Sequence, residues 1–525
     1  MQQANSQPLP VSSAATPATP AEPGPLQGGQ LALGAIMLAM ANFLAVLDTT
    51  IANVSVSNIA GSLGTSTSQG TYVITSYAVA EAISVPLTGW LASRFGAIRV
   101  FATCFILFGV FSILCGMANS MNMLVLFRVF LGLCGGPLMP LSQTLMLRIF
   151  PKDKGHAAIG LWSMTTLVAP IMGPILGGIL CDQYSWPYIF YVKAPFAIIA
   201  GLMCWRLLQR YQGVVRKLPI DKIGLGLLII WVAALQIMLD EGKDHDWFAS
   251  TRITVLAIVA AIGFVAFLIW ELTERNPVVD LRVFRHQGYR TSMLTLSLGF
   301  GAFFGITVLT PLWLQIYMGY TATIAGYSTA MMGVLAVFLA PLIANLATKI
   351  DPRPMVFAGV LWLGLWTLYR SHANMDMTFW QISMPMFFQG IGMPLFFVPL
   401  TGIALGAVLP REMDSAAGLM NFIRTLSGAF ATSMVNTGWE HETRYVRAEL
   451  AGLTDSTGHA TQAMQQGGAT LDQARGSMEW MLQGQSVMVA TNKIFMIIAV
   501  LFVLAAFAIW LAPRPSRAVD TSAVH

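Results

Sequence analysis

Five ionisable side chains, Asp48, Glu81, Arg128, Lys193 and Arg424, lie inside long apolar runs of this sequence. A charge buried in hydrocarbon costs several kcal/mol, so such residues point to chemistry: carrying a proton, pairing with an ion or orienting a ligand. Asp48 and Arg128 each fall six residues from the outer end of their runs, residue 54 of 30–54 and residue 122 of 122–145. At about 1.5 Å per helical residue both sit about 9 Å below one membrane surface. A carboxylate beside a guanidinium stays ionised until that neighbourhood changes, which suits a proton-binding switch; the alternative is a static ion pair that locks two helices. Because the apolar runs beyond residue 290 hold no interior carboxylate, proton coupling is assigned to Asp48 first and Glu81 second, with Arg128 as modulator.

Polar side chains recur at helical spacing around these charges. Asn42, Thr49 and Asn53 fall at i, i+7 and i+11 of the first run, and Asn421, Arg424, Thr425, Gly428, Thr432 and Asn436 form a stripe along 414–437. Such faces cannot meet lipid cheaply and line either a water-filled cavity or a helix interface. Arg424 favours the cavity, so Asn42, Thr49, Asn53, Gln143, Asn421, Arg424 and Thr425 are expected to face one substrate cavity.

Positioning them requires membrane-spanning helices. The 525 residues are 56% apolar and only 10% charged, against roughly 25% charged in a soluble domain. This excludes a soluble fold. Spans of about 20 apolar residues fit helices, not barrel strands. Fourteen are expected, at 30–54, 69–91, 98–118, 122–145, 157–181, 187–209, 221–240, 252–271, 291–315, 325–347, 355–370, 380–408, 414–437 and 492–512. Sorting Lys and Arg by loop gives 19 on the side of the termini and seven opposite, which places both termini in the cytoplasm. Residues 1–29, with six prolines and no Lys or Arg, read as a disordered tail, and 513–525 as a second cytoplasmic tail.

Several chemistries are poorly supported. The five cysteines have no CxxC spacing and the seven histidines have no ligand-spaced partners, so no metal site and no catalytic residue is expected. Gly242-Lys243 is followed by Asp244 and not by Ser or Thr, so no phosphate-cradling loop is visible. No cofactor is expected, and an ion gradient becomes the energy source. The small basic excess gives no reason to expect nucleic acid.

Two motifs suggest moving parts. Ala169, Gly173 and Gly177 recur every four residues beside Pro170, Pro174 and Gly178, giving a smooth face for close helix approach and room to bend. The turn from Gly89 to Arg99, with Gly96 and Arg94, offers a tight reversal and two arginines able to latch onto helix carbonyls or acidic partners; read blandly, it is a positive-inside loop.

Taken together these residues resemble the major facilitator superfamily, and within it the fourteen-span drug:proton antiporters. The turn at 89–99 is similar to that superfamily's cytoplasmic motif, with Ser93 at its usual Asp; Arg128 with Gly132 and Gly135 resembles the fourth-span motif, and Gly173-Pro174 with Gly177-Gly178 the antiporter motif of the fifth. Leu47 to Val54 is similar to the first-span signature, and Pro137-Leu138, Gln236 to Asp240 and Asn421-Phe422 resemble the EmrB type of Gram-negative inner-membrane pump. Glu81 and Lys193 depart from the pattern. The resemblance implies an all-α fold of two six-helix bundles, 30–209 and 291–512, with two inserted helices within 210–290. It also implies proton-coupled export of hydrophobic or amphipathic toxic compounds across the inner membrane, with a periplasmic adaptor and an outer-membrane channel as partners. A nutrient symporter and a channel or sensor are the other readings. The outer loop 438–491 is the only extramembrane segment large enough to recruit a partner; the thirteenth helix is expected to continue into it, followed by short, loosely packed helices broken at Gly467, Gly468, Gly476 and Gly484.

Overall fold

The computed structural model describes residues 26–513 apart from 66, 71, 152–153, 213–214, 216–218, 220, 276, 348, 410–411 and 454–458. The tail from 1 to 25 and residues 514–525 lie outside the described residues. All regular structure among the described residues is helical: α1 (Gly28–Ser62), α2 (Thr67–Gly70), α3 (Tyr72–Ser84), α4 (Thr88–Phe95), α5 (Ala97–Gly116), α6 (Met121–Gly135), α7 (Leu138–Ile149), α8 (Gly155–Gln183), α9 (Tyr188–Tyr191) and α10 (Ala194–Leu208) come first. There follow α11 (Lys222–Glu241), α12 (Thr251–Thr273), α13 (Gln287–Ile316), α14 (Ala322–Ala347), α15 (Pro352–Arg370), α16 (Phe379–Gln389), α17 (Gly392–Gly406), α18 (Met413–Leu453), α19 (His459–Gln466) and α20 (Leu471–Ala508).

Local sequence sets many of these boundaries. Ser120, Asp221 and Asp351 accept hydrogen bonds from the first free N–H groups of α6, α11 and α15, and Thr470 with Gln473 forms a capping box on α20. Order begins earlier than residue 30: Leu26 is buried and its N–H donates to the Ile149 carbonyl.

Two apolar cores organise the helices. One runs from Leu26 to Tyr211 through α1–α10; the other is built mainly from α13–α18 and α20, and takes in Leu228 and Trp231 of α11 and Phe267 of α12. α12 is the most lipid-facing apolar helix, with 22% of its most apolar stretch buried against 78% for α16 with α17. The bundles meet along α8 against α14 and α17, and α18 against α4 and α7.

Ten helical segments among the described residues are long and apolar enough to cross a membrane, or eleven with α8, whose halves Ala157–Pro170 and Ile175–Cys181 bend by 42°. The expected spans at 69–91, 355–370 and 414–437 fall outside that set. The first is broken between α3 and α4, α15 carries an arginine near each end, and α18 is rich in polar residues, of which Asn421, Arg424 and Ser433 are buried. The 438–491 segment also differs from expectation. α18 does continue outward, to Leu453, but Gly476 and Gly484 lie inside α20, which starts at Leu471. The two extensions are tied by Arg447 with Glu479, Lys493 with Glu442, and Trp439 Nε1 donating to Thr491 Oγ1 at 2.9 Å. Such exposed ion pairs add little energy, but the Trp439 bond is buried and fixes register.

At the opposite end, Glu412 fastens the start of α18 to the segment before α13. Its Oε1 accepts from Arg285 Nη2 at 2.5 Å, and its Oε2 lies 3.0 Å from His286 Nε2. Burial works to raise the Glu412 pKa, but hydrogen bonds from His286 and the Leu409 N–H, with the Arg285 charge, overcome it and hold the carboxyl below its ordinary 4.5. A carboxyl depressed on folding stabilises the fold above its unfolded value and loses that contribution as pH falls through the folded one. Glu412→Gln should therefore lower the thermal midpoint at pH 7, and the gap from the parent chain should close below pH 4.5. An equal gap at pH 7 and pH 3 in thermal unfolding of the purified protein would contradict this.

Candidate functional site

α1 places Asp48, α6 Arg128 and the residue before α10 Lys193 at one fully buried point. Asp48 Oδ2 accepts from Arg128 Nη1 at 2.5 Å, and Asp48 Oδ1 is paired with Lys193 Nζ. Arg128 Nε donates to the Val73 carbonyl at 2.8 Å, and its guanidinium lies 4.5 Å from the Tyr77 ring centroid. The Lys193 ammonium lies 4.9 Å from that of Phe190. Stacking on aromatic faces offsets part of what desolvating two cations costs. Lys193, one of the five ionisable residues in the apolar runs and a departure from the family pattern, is thus the second partner of Asp48. Glu81 sits one helical turn beyond Tyr77 on α3, buried, with Oε1 unpaired, and the charges acting on it are Arg424 and Arg128.

A narrow cavity lies between the bundles. Trp162, Ser163 and Thr166 of α8 form one wall, Leu296, Phe397 and Thr401 another, and Met420, Asn421 and Arg424 of α18 the third. Arg424 has no carboxylate in contact among the described residues; its Nη2 reaches Met139 Sδ at 2.8 Å and its guanidinium stands 5.5 Å from the Trp162 ring. Asn421 Nδ2 donates to Gln143 Oε1 at 3.2 Å, a hydrogen bond from one bundle to the other.

The expected cavity set is only partly assembled. Asn421 and Arg424 line it and Gln143 backs onto it through Asn421. Asn42 turns to α8, where its Nδ2 donates to Thr165 Oγ1 at 2.8 Å and Thr166 Oγ1 at 2.7 Å. Thr49 donates along its own helix to the Ala45 carbonyl, and half-buried Thr425 is outside the lining. The side chains of Asn53 and Pro174 lie outside the described residues. Sequence reasoning missed the α8 wall, although Ser163, Thr165 and Thr166 are a polar group in an apolar helix; Phe397 and Leu296 carry no comparable signal.

The motif glycines mark close approaches. A Cβ on Gly173 would lie 2.7 Å from Thr50 Cβ, so only glycine lets α8 meet α1 at this point; Gly177 and Gly178 are buried farther along α8. A Cβ on Gly89 would stand 2.9 Å from Ser415 Cα, where α4 meets α18. Gly96, at φ +91°, turns the chain from α4 into α5. Arg94 lies over the Trp90 and Phe95 rings at 5.7 Å and Arg99 is exposed, while Arg148 of α7 makes the cross-bundle ion pair at this end, with Asp414 of α18 at 2.5 Å.

Two helical bundles closing over a buried charge cluster and a shared cavity form the plan of a membrane transporter. A family model described as Major Facilitator Superfamily matches residues 38–432. Multidrug export protein EmrB of Escherichia coli is 41% identical over 498 residues, 94% of this chain and 97% of that protein. Fatty acid resistance protein FarB of Neisseria gonorrhoeae is 40% identical, over 94% and 98%. The solved structure of the proton:xylose symporter XylE bound to 6-bromo-6-deoxy-D-glucose superposes with a TM-score of 0.56 at 13% identity, covering 93% of this chain and 97% of that one, a likeness of fold alone. The chain belongs to the major facilitator superfamily and, within it, to the EmrB-type multidrug export family. It is a multi-pass membrane protein.

The close approach of α8 to α1 gives a direct test. Gly173→Val should overpack this contact and destabilise by about 1–3 kcal/mol, and adding Thr50→Gly, which removes the Cβ and Oγ1 that it meets, should recover part of that loss. Strictly additive effects of the two changes on thermal unfolding would show that the contact does not set the helix spacing.

Proposed function

We propose that the protein is a proton-coupled antiporter that exports hydrophobic or amphipathic toxic compounds, with Asp48 as the principal proton carrier. The observation that carries this reading is a carboxylate, wholly buried between two cations, lying near a cavity shared by two bundles. Protonating Asp48 removes the charge that holds Arg128 and Lys193 together and so favours another arrangement of α1, α6 and α10. Glu81, the carboxyl on which both Arg128 and Arg424 act, carries the change toward the cavity. Proton is the coupling ion, and no cofactor is needed. Cavity walls of Trp162, Leu296, Phe397 and Met420 suit apolar ligands, and Asn421 and Arg424 orient them. The names of the relatives, multidrug export and fatty acid resistance, agree with this substrate class.

The finer topology belongs to the same proposal: fourteen spans, arranged six, two and six, with both termini in the cytoplasm and the membrane being the bacterial inner one. The distribution of 19 against seven basic residues supports it. On this reading the Arg148–Asp414 end is the cytoplasmic gate, closed here, and the α18–α20 extension stands in the periplasm, where it contacts an adaptor that leads to an outer-membrane channel.

In proteoliposomes with an imposed pH gradient, Asp48→Asn should abolish drug-dependent proton movement while retaining drug binding. Full pH-driven transport by that variant would remove Asp48 from the mechanism; if Glu81→Gln alone stopped proton uptake, the ranking of the two would reverse. Drug movement with the proton would indicate a symporter, and gradient-independent flux a channel. For the adaptor, replacing 450–485 with a Gly-Ser link should spare transport in proteoliposomes but lower cellular resistance and adaptor pull-down. Unchanged adaptor recovery would place docking elsewhere.

A further inference from the structure

Arg370, the last residue of α15, is a second cation buried without a carboxylate, far from the Asp48 cluster in the chain and in the other bundle. It is 6% exposed. Nη1 donates to Gln389 Oε1 at 3.3 Å and Nη2 to Thr310 Oγ1 at 2.6 Å, while the guanidinium lies 4.6 Å from the centroid of the Phe495 ring. Gln389 is held in turn, with its Nε2 donating to Thr367 Oγ1 at 2.9 Å. A guanidinium has five N–H donors in a fixed plane, so two engaged by neutral partners leave it oriented and its charge uncompensated. The nearest carboxylate in sequence, Asp376, is exposed and makes no ion pair with it among the described residues.

The arginine lines a narrow, partly open cleft with Trp313, Ala373, Met377, Gln381, Ile382 and Phe495. Tyr369, which also lines it, is 60% exposed, an amphipathic ring of the kind found at a membrane–water boundary. A fixed positive fork at the bottom of an apolar, aromatic-edged cleft is complementary to an anion carrying an apolar tail.

We propose that this cavity binds the anionic headgroup of an amphiphile, a phosphodiester or a carboxylate, which takes the remaining N–H groups of Arg370 while its apolar chain lies along Tyr369, Met377 and Ile382. The ligand is either a bilayer phospholipid or a free long-chain carboxylate; both present a pair of anionic oxygens to the same fork. The site is separate from the cavity lined by Arg424 and does not depend on the transport reading.

Native mass spectrometry of the full chain in detergent tests this with three added probes: phosphatidylglycerol, oleate and inorganic phosphate. The parent chain should retain one phosphatidylglycerol or one oleate. Arg370→Gln should weaken retention about ten-fold, the scale of losing a charge-assisted hydrogen-bond pair, whereas Arg475→Gln, an exposed arginine of α20, should leave it unchanged. Ala373→Phe keeps the arginine but fills the cleft, and should abolish retention even if Arg370→Gln fails to fold. Retention of phosphatidylglycerol alone identifies the bilayer as the source, and retention of oleate alone identifies a free compound. Equal retention by the parent chain and Ala373→Phe, or binding of inorganic phosphate only, would overturn the proposal.

Discussion

Burying Asp48 constrains much of the first bundle. A carboxylate with no exposed surface is tolerable only if charge and hydrogen-bond donors surround it, and the chain brings these from α6 and from the residue preceding α10. Arg128 in turn needs the Val73 carbonyl and the Tyr77 face, which fixes α3, and Lys193 needs Phe190 and so fixes the entry into α10. One buried negative charge therefore sets the mutual positions of four segments. Apolar packing alone leaves helices in lipid free to slide, because lipid tails solvate them equally well.

The second bundle uses a different device. Its inward polar groups are mostly neutral, as in Ser297 with Ser427 and Ser328 with Ser383, and its fixed charges sit at the ends, where Arg353 and Glu412 hold the termini of α15 and α18. The first bundle holds two buried carboxyls, Asp48 and Glu81, whereas among the described residues of the second Arg370 and Arg424 are buried with no carboxylate in contact.

What was legible in the sequence follows from this division. Isolated charges in apolar runs stand out because hydrocarbon makes them costly, so Asp48, Arg128, Glu81 and Arg424 were found by type and position alone. The glycine spacing on α8 likewise announced its close approach to α1. Partnership was not legible. Lys193 lies 145 positions after Asp48 in the chain, and nothing local says that its side chain folds back to that carboxylate. The polarity of Asn42 places it in a cavity, yet its Nδ2 is engaged by a neighbouring helix, with two threonines at hydrogen-bond distance. Periodicity identifies a polar face but not whether water, ligand or another helix covers it. Polar α18 was expected as a span by position, although its own composition falls below the apolarity that marks the other helices.

The length of α18 has a mechanical consequence. It runs as one helix from the Asp414 ion pair, past Asn421 and Arg424 in the cavity wall, to Leu453. From Arg424 to its far end is 29 residues, about 43 Å at the helical rise. A rigid rod of that length is a lever with its short arm in the cavity, so a tilt of about 5° about the cavity wall swings the tip by about 4 Å. α20 is strapped alongside by Trp439 and Thr491 and has to follow. A small change in the spacing of a cleft only a few side chains wide is magnified at the far end of such a rod.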